Sequence, residues 1–167
     1  MADMITFVLR SLDDVQLELQ QTLEGLTLEQ IMWRPDPDSN SIAWIAWHIA
    51  RLQDARGAEL SGEEQLWVSK GWHERFGLSP DPQNHGRGHS REQVESVKPD
   101  STESLAAYCR DSHEFVHREV SKINDKTIVA DDTTWNLVFR TVHGGFAHVG
   151  QAMYVRGLIE KRRWFSR

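Results

Sequence analysis

Cysteine is nearly missing from this chain. The single copy, Cys109, excludes an internal disulfide and fits a reducing compartment. It falls in an apolar helical stripe, where a thiol is expected to be buried and inert rather than nucleophilic. Basic charge is also in deficit: 19 Lys and Arg stand against 25 Asp and Glu, a net charge of -6. The two signs are mixed along the chain, so no basic face is expected to hold a phosphate backbone, and nucleic acid is not an expected partner. Every apolar run is interrupted by Asp, Glu, Arg or Gln before it reaches membrane-spanning length, and the opening MADMITFVLRSLDDV has no basic stretch ahead of an apolar one. A cytoplasmic protein without a membrane partner is expected. Period-two strand runs, internal repeats and low-complexity tracts are absent. So are a glycine-rich phosphate loop, a serine-centred nucleophile elbow and a CxxC pair, which leaves phosphoryl transfer and the common covalent hydrolases without support.

What is present suits one all-α domain over residues 1–167. A hydrophobic fraction of 39% in 167 residues is enough for a real core. Met4, Phe7, Val8, Leu12, Val15, Leu19 and Leu23 recur at helical spacing and predict a first long helix. Thr27 to Gln30 reads as a capping box opening one or two turns, and the Pro35 to Asn40 stretch is a loop. A second long helix is expected from about Ser41 to Leu60, capped by Ser39, Asn40 or Ser41. From Ser61 to Asp100 the pattern weakens into a long connection with short helical turns, one of them capped by Ser90 and Gln93. A third long helix is expected from about Ser101 to Ile123 and a fourth from near Trp135 to about Arg162. The long crossover between the second and third permits an up-down-down-up four-helix bundle, with the second and fourth helices in reach of each other.

Two histidines stand out against this frame. His48 is the one ionisable group in Ile42 to Ala50, so it belongs inside the bundle or at a pocket mouth, where its ring needs a polar partner. His148 shares a helix face with Gly144, Gly145, Gln151 and Ala152. Glycines inside a helix cost roughly 1 kcal/mol each against Ala, which suggests that they admit something bulky close to the backbone. Seven Trp against two Tyr, several beside histidines, are suited to pockets as well as to core. Trp44, Trp72 and Gln151 are the candidate substrate-binding residues, and Tyr154 with Arg156 is a candidate interface on the outward face of the fourth helix.

At these residues the chain resembles the DinB-like (YfiT-like) superfamily of four-helix-bundle metalloenzymes, which includes thiol-dependent S-transferases and mycothiol-dependent maleylpyruvate isomerases. The resemblance rests on Ser41-Ile-Ala-Trp-Ile-Ala-Trp-His-Ile-Ala-Arg51 and on His148-Val-Gly-Gln-Ala-Met-Tyr-Val-Arg-Gly157. Trp72-His-Glu-Arg-Phe-Gly77 and Gly88-His-Ser-Arg-Glu-Gln-Val94 resemble an actinobacterial branch. It implies a divalent metal, nickel or zinc, held by His48, by His148 and by a residue one turn before His148. It also implies a low-molecular-weight thiol as cosubstrate, a metal-dependent transferase or isomerase activity, and a homodimer. The chain departs from the pattern at the third ligand, because the position four before His148 is Gly144. His143 is next to it, but five residues at about 100° each put it roughly 140° from His148 on a regular helix. His73, Glu74, His85 and His89 in the long connection are further candidates. The alternative is a degenerate, metal-free bundle that binds an apolar small molecule or serves as a dimerisation scaffold.

A second constellation, His113-Glu114-Phe115-Val116-His117, has the spacing of a zinc-protease motif, with Glu as general base. Its charged flanks and the absence of a preceding strand favour a solvated helical face.

Overall fold

The computed structural model describes residues 4–164. In chain order the helices are α1 (Met4–Leu23), α2 (Leu28–Met32), α3 (Ile42–Ser61), α4 (Leu66–Ser69), α5 (Trp72–Arg75), α6 (Arg91–Ser96), α7 (Thr102–Val120), α8 (Asp125–Ala130) and α9 (Asp132–Glu160), with no strand among the described residues. None of these helices is long and apolar enough to cross a membrane. The four long helices are those that the periodicity marks, and their starts are set by side-chain caps. The Ser41 hydroxyl accepts from the Trp44 amide at 3.1 Å, and the Ser101 hydroxyl accepts from the Ser104 amide at 3.0 Å. Thr27 with Gln30 and Ser90 with Gln93 form reciprocal capping boxes. The last helix begins a turn earlier than its apolar stripe, because Asp131 accepts from the amides of Thr133 and Thr134 and caps it there. The link ahead of it is not plain loop: α8 occupies it, and Asp125 accepts from the amides of Met4 and Ile5, capping α1 from across the fold.

Helix α3 packs against α7 and α9, and α1 packs against the same two. Residue pairs give the directions. Cys109 Sγ meets the Ala46 carbonyl and Phe115 lies on Gly57, so α3 and α7 run parallel. Val15 fits over Gly145 and Arg156 reaches the carbonyls of Gln21 and Thr22, so α1 and α9 run parallel. His48 faces His148 while Arg56 shares a cavity with Arg140, which makes α3 and α9 antiparallel.

Two apolar clusters fill the bundle. The larger surrounds Trp47, Trp67, Tyr108 and Cys109, and the smaller joins Ile5, Val8 and Leu12 to Val116, Val120, Leu137 and Val138. Each fully buried large side chain contributes on the order of 1.5–3 kcal/mol. Of the helical glycines, Gly57 and Gly145 admit neighbouring side chains: a Cβ would lie 2.7 Å from Phe115 and 3.0 Å from Val15 respectively. Burial pushes the Cys109 thiol up to about 12, in keeping with an inert core residue.

Arg156 departs from the sequence expectation of an outward-facing interface residue. It is buried, bonds the last carbonyls of α1, pairs with Glu160 at 3.0 Å and stacks its guanidinium 4.6 Å from the Trp164 ring centroid. The parallel run of α1 beside α9 brings those orphan carbonyls to it. Tyr154 does face solvent, at 70% exposure.

The connection between α3 and α7 is tied down by a buried arginine. Arg51, wholly inaccessible, donates to the backbone carbonyls of Asn84 at 3.0 Å, Pro82 at 3.1 Å and Asp81 at 3.4 Å, and to Gln65 Oε1 at 2.9 Å. Its charge is balanced by Asp54, whose carboxylate also accepts from the amides of Leu66 at 2.7 Å and Trp67 at 2.8 Å and from the Tyr108 hydroxyl at 2.9 Å. Burial raises the Asp54 pKa and these bonds oppose the rise. The set is fully bonded, as a buried ion pair needs to be.

Candidate functional site

His48 lies on α3 one turn before Arg51, so the same helix face that fixes residues 81–84 also meets residues 85–89. Its Nδ1 bonds the His85 carbonyl. A carbonyl has no proton to give, so Nδ1 carries the hydrogen and Nε2 keeps a free lone pair. Trp44, one turn earlier, stacks on the imidazole with centroids 4.9 Å apart and planes 11° from parallel. The Trp44 Nε1–H donates to His89 Nδ1 at 3.2 Å, and His89 Nε2 in turn bonds Asn84 Oδ1 at 2.8 Å. Gly86 sits flat on this platform: a Cβ there would come within 2.8 Å of Trp44, 2.9 Å of Trp47 and 3.1 Å of His48 Nδ1, and its φ is +91°. Only glycine combines that close approach with that backbone conformation.

His48 is 7% exposed. Burial lowers its pKa to about 4, against the opposing pull of the His85 carbonyl, and the nearby charges of His148, His85 and Arg87 act in the same direction as burial. It is therefore a neutral imidazole at physiological pH. His148 approaches it edge to face from α9, with centroids 4.8 Å apart and planes at 83°. Unlike His48, His148 is only half-buried, and its Nδ1 stands 3.3 Å from Gln151 Oε1.

The two rings line a cavity of about 460 Å³. Its walls are Trp44, Leu52 and Arg56 of α3, Gly86, Arg87 and Gly88 of the connection, and Arg140, Thr141, His143 and Gly144 of α9. That size falls within the usual range for small-molecule sites, about 300–1,000 Å³.

The other residues singled out by sequence lie elsewhere. Trp72 is not part of this cavity: α5 carries it against α7, where it packs on Tyr108 at 5.4 Å and donates to Asp111 at 3.3 Å. Gln151 reaches the cavity only through His148 and lines a neighbouring surface groove with Ile45 and Tyr154. His143 is at the cavity wall, yet its ring is exposed and stacks on Phe139 at 5.6 Å along the outer surface of α9. His73 rests edge-on against Trp67, Glu74 is exposed, and His85 faces the adjoining pocket beside Gln65 and Gln83. Both nitrogens of His89 are already engaged. At the HExxH segment, Glu114 is exposed, and His113 Nε2 and His117 Nε2 lie 3.1 and 3.6 Å from one oxygen of Asp13, joining α7 to α1.

The metal that the resemblance implies can be tested against these donors. Two imidazoles on one tetrahedral zinc, each with a metal–nitrogen bond of about 2.0–2.1 Å, hold their centroids roughly 5 Å apart, and His48 and His148 have that separation. The fixed Nδ1–H of His48 is also the usual support of a ligating histidine. Among the described residues the third donor is missing. Around Gly144 a Cβ would meet nothing within 4 Å, so the place of a ligand is open space, and no other candidate side chain fills it. Among the described residues, no group of three His, Cys, Asp or Glu side chains converges to hold an ion. Two histidines fall short of the three protein ligands of a catalytic zinc site.

Sequence reasoning did not single out Arg51, Arg56, Arg87 or Arg140. The signals present were an arginine one turn from His48 in an apolar helix and the Gly86-Arg-Gly88 sequence, but neither tells where the connection folds.

Comparison with known proteins gives one family and one fold. The model of the DinB superfamily matches residues 11–154. The crystal structure of a conserved protein from Enterococcus faecalis is similar with a TM-score of 0.86 at 22% identity, over 97% of this chain and 100% of that one. No curated protein matches the sequence.

Proposed function

Because the chain belongs to the DinB superfamily, we propose that it keeps the family's site as a small-molecule pocket built on His48 and His148, without a resident metal. The observation that carries this is the open space at Gly144, beside two histidines with no third donor among the described residues. The pocket keeps polar groups able to orient a ligand. His48 presents an unprotonated Nε2 as hydrogen-bond acceptor or general base, and Trp44 supplies an aromatic wall. The clamped connection from Asp81 to His89 keeps these groups in register.

A second reading is favoured by the anchored tautomer of His48 and its spacing to His148. It is a nickel- or zinc-dependent transferase in which those two residues hold the ion and a low-molecular-weight thiol or water completes the set. The chemistry that such an ion supplies is a lowered pKa for the bound thiol or water.

Metal analysis of protein purified without a polyhistidine tag separates the two. The first reading expects well under one equivalent of nickel or zinc after reconstitution and dialysis. It further expects that Gly144→His or Gly144→Glu, for which the structure has room, raises affinity for added zinc at least tenfold in a His48-dependent way. Near-stoichiometric metal in the unaltered chain, abolished by both His48→Ala and His148→Ala, would overturn the first reading in favour of the second.

A further inference from the structure

The pocket just described carries an unusual charge for this protein. The chain as a whole is acidic, at -6, yet three arginines and no Asp or Glu line the cavity among the described residues. They come from three separate parts of the fold: Arg56 from α3, Arg87 from the long connection and Arg140 from α9. Sequence neighbours do not explain their convergence, since Arg56 and Arg140 lie on antiparallel helices, each two turns from the histidine of its own helix.

Two of the three, like the exposed Arg10 and Arg110 elsewhere on the fold, pair with no carboxylate among the described residues. Arg34, Arg75, Arg91 and Arg118 each pair with a carboxylate, and Arg51 and Arg156 are satisfied inside the fold. Arg56 bonds Glu59 on its own helix. Arg87 and Arg140 have no carboxylate or hydrogen-bond partner among the described residues, and both are exposed at the cavity. Nor is Arg87 on a slack loop. The residue two before it is held by His48 through its carbonyl, Gly86 rests on Trp44 and Trp47, and the residue two after it accepts from Trp44. An arginine whose backbone is anchored on both sides, whose guanidinium faces a cavity and which lacks a counter-charge is suited to receive an oxyanion.

The geometry points to a small organic anion as the ligand of this pocket, with its carboxylate or phosphoryl oxygens on Arg87 and Arg140, Arg56 assisting, and the rest of the molecule against Trp44 and the His48–His148 pair. This rests on the cavity being a small-molecule site, and it names the class of molecule that enters. Carboxylate and phosphoryl groups share the oxyanion chemistry that the arginines recognise. His48 complements it, because with Nδ1–H given to the His85 carbonyl its Nε2 is left to accept a hydrogen bond from the bound molecule.

Calorimetric titration of the full chain at low salt with succinate, its neutral counterpart succinamide, and inorganic phosphate tests the inference. Succinate or phosphate is expected to bind and succinamide is not, with affinity falling as salt is raised. Arg87→Ala and Arg140→Ala are each expected to weaken anion binding roughly tenfold or more, with partial recovery in the Lys variants. Both positions are exposed, and unchanged thermal melts show that the variants fold. Whichever of succinate and phosphate binds more tightly in an arginine-dependent way identifies the oxyanion. No binding of either anion, binding that ignores charge, or binding untouched by both arginine substitutions overturns the inference. Metal content of the same samples keeps the two questions apart: stoichiometric metal sinks the metal-free reading and leaves the arginine dependence to be read on its own. Charge-blind binding sinks this inference and leaves the cavity a small-molecule site.

Discussion

The Nδ1–H of His48 is bonded to the carbonyl of His85, so a side chain of the second long helix holds the backbone of the crossover 37 residues further on. That bond fixes the imidazole's tautomer and places Gly86 and Arg87 over the cavity.

Gly86→Ala is expected to cost about 2–3 kcal/mol, combining a Cβ forced against Trp44 and Trp47 with a side chain at positive φ. Gly88→Ala is the control. Its φ is +76°, but nothing lies within 4 Å of an added Cβ, so only the backbone preference of about 1 kcal/mol applies. Urea denaturation of the two variants gives the comparison, and equal losses would mean that the seat on the tryptophans contributes little.

Arg51→Met should be far more damaging than loss of a surface ion pair. It leaves Asp54 buried without its cation and releases the carbonyls of Asp81, Pro82 and Asn84. A destabilisation of about 3–5 kcal/mol is expected. Faster hydrogen exchange should be confined first to residues 81–89, and exchange that speeds up evenly across the bundle would contradict the clamp.

Stability should fall as pH drops from about 6.5 towards 4. The ordinary histidine value is 6.5 and that of folded His48 is about 4, so within this interval the unfolded chain binds the extra proton. The contribution is fully present above pH 6.5 and disappears as pH approaches the folded value. It amounts to roughly 2–3 kcal/mol. His85, His89 and His113, also held low by burial, add in the same direction. His48→Gln keeps an N–H for the His85 carbonyl without a titrating group, so its denaturation midpoint should vary less over pH 4.5 to 7.5.

The glycines of α9 should divide by their surroundings. Gly144→Ala and Gly150→Ala meet nothing within 4 Å and should each stabilise the helix by roughly 0.5–1 kcal/mol. Gly145→Ala pushes against Val15 at 3.0 Å and should destabilise, as should Gly57→Ala against Phe115. Thermal melts of the four variants settle the division. A stabilised Gly145→Ala would show that the α1–α9 contact yields easily.

The four long helices, the caps that open the second and third of them, and the buried Cys109 could be read from the chain because they rest on short-range physics. Apolar side chains every three or four residues make a stripe, and a hydroxyl or carboxylate ahead of it satisfies the first free amides. His48 was legible for a similar reason, since one ionisable group in an apolar helix segment has to be buried and bonded. The lack of a side chain at Gly144, where the resemblance implies a ligand, was equally plain.

Where the crossover lies was not legible. Its short helices and turns carry weak local signals, and its path is set by Arg51 and His48 bonding backbone carbonyls, and by Trp44 bonding the His89 ring, thirty or more residues away. That path decides that Trp72 goes to the α7 side of the bundle, that His89 spends both nitrogens on Trp44 and Asn84, and that Arg87 reaches the cavity. The sequence by itself therefore determined an all-α bundle with a histidine inside it and a glycine, Gly144, one turn before His148. Only the tertiary structure decided that three arginines meet beside that histidine, because their convergence depends on helix direction and on long-range anchoring, which no local pattern encodes.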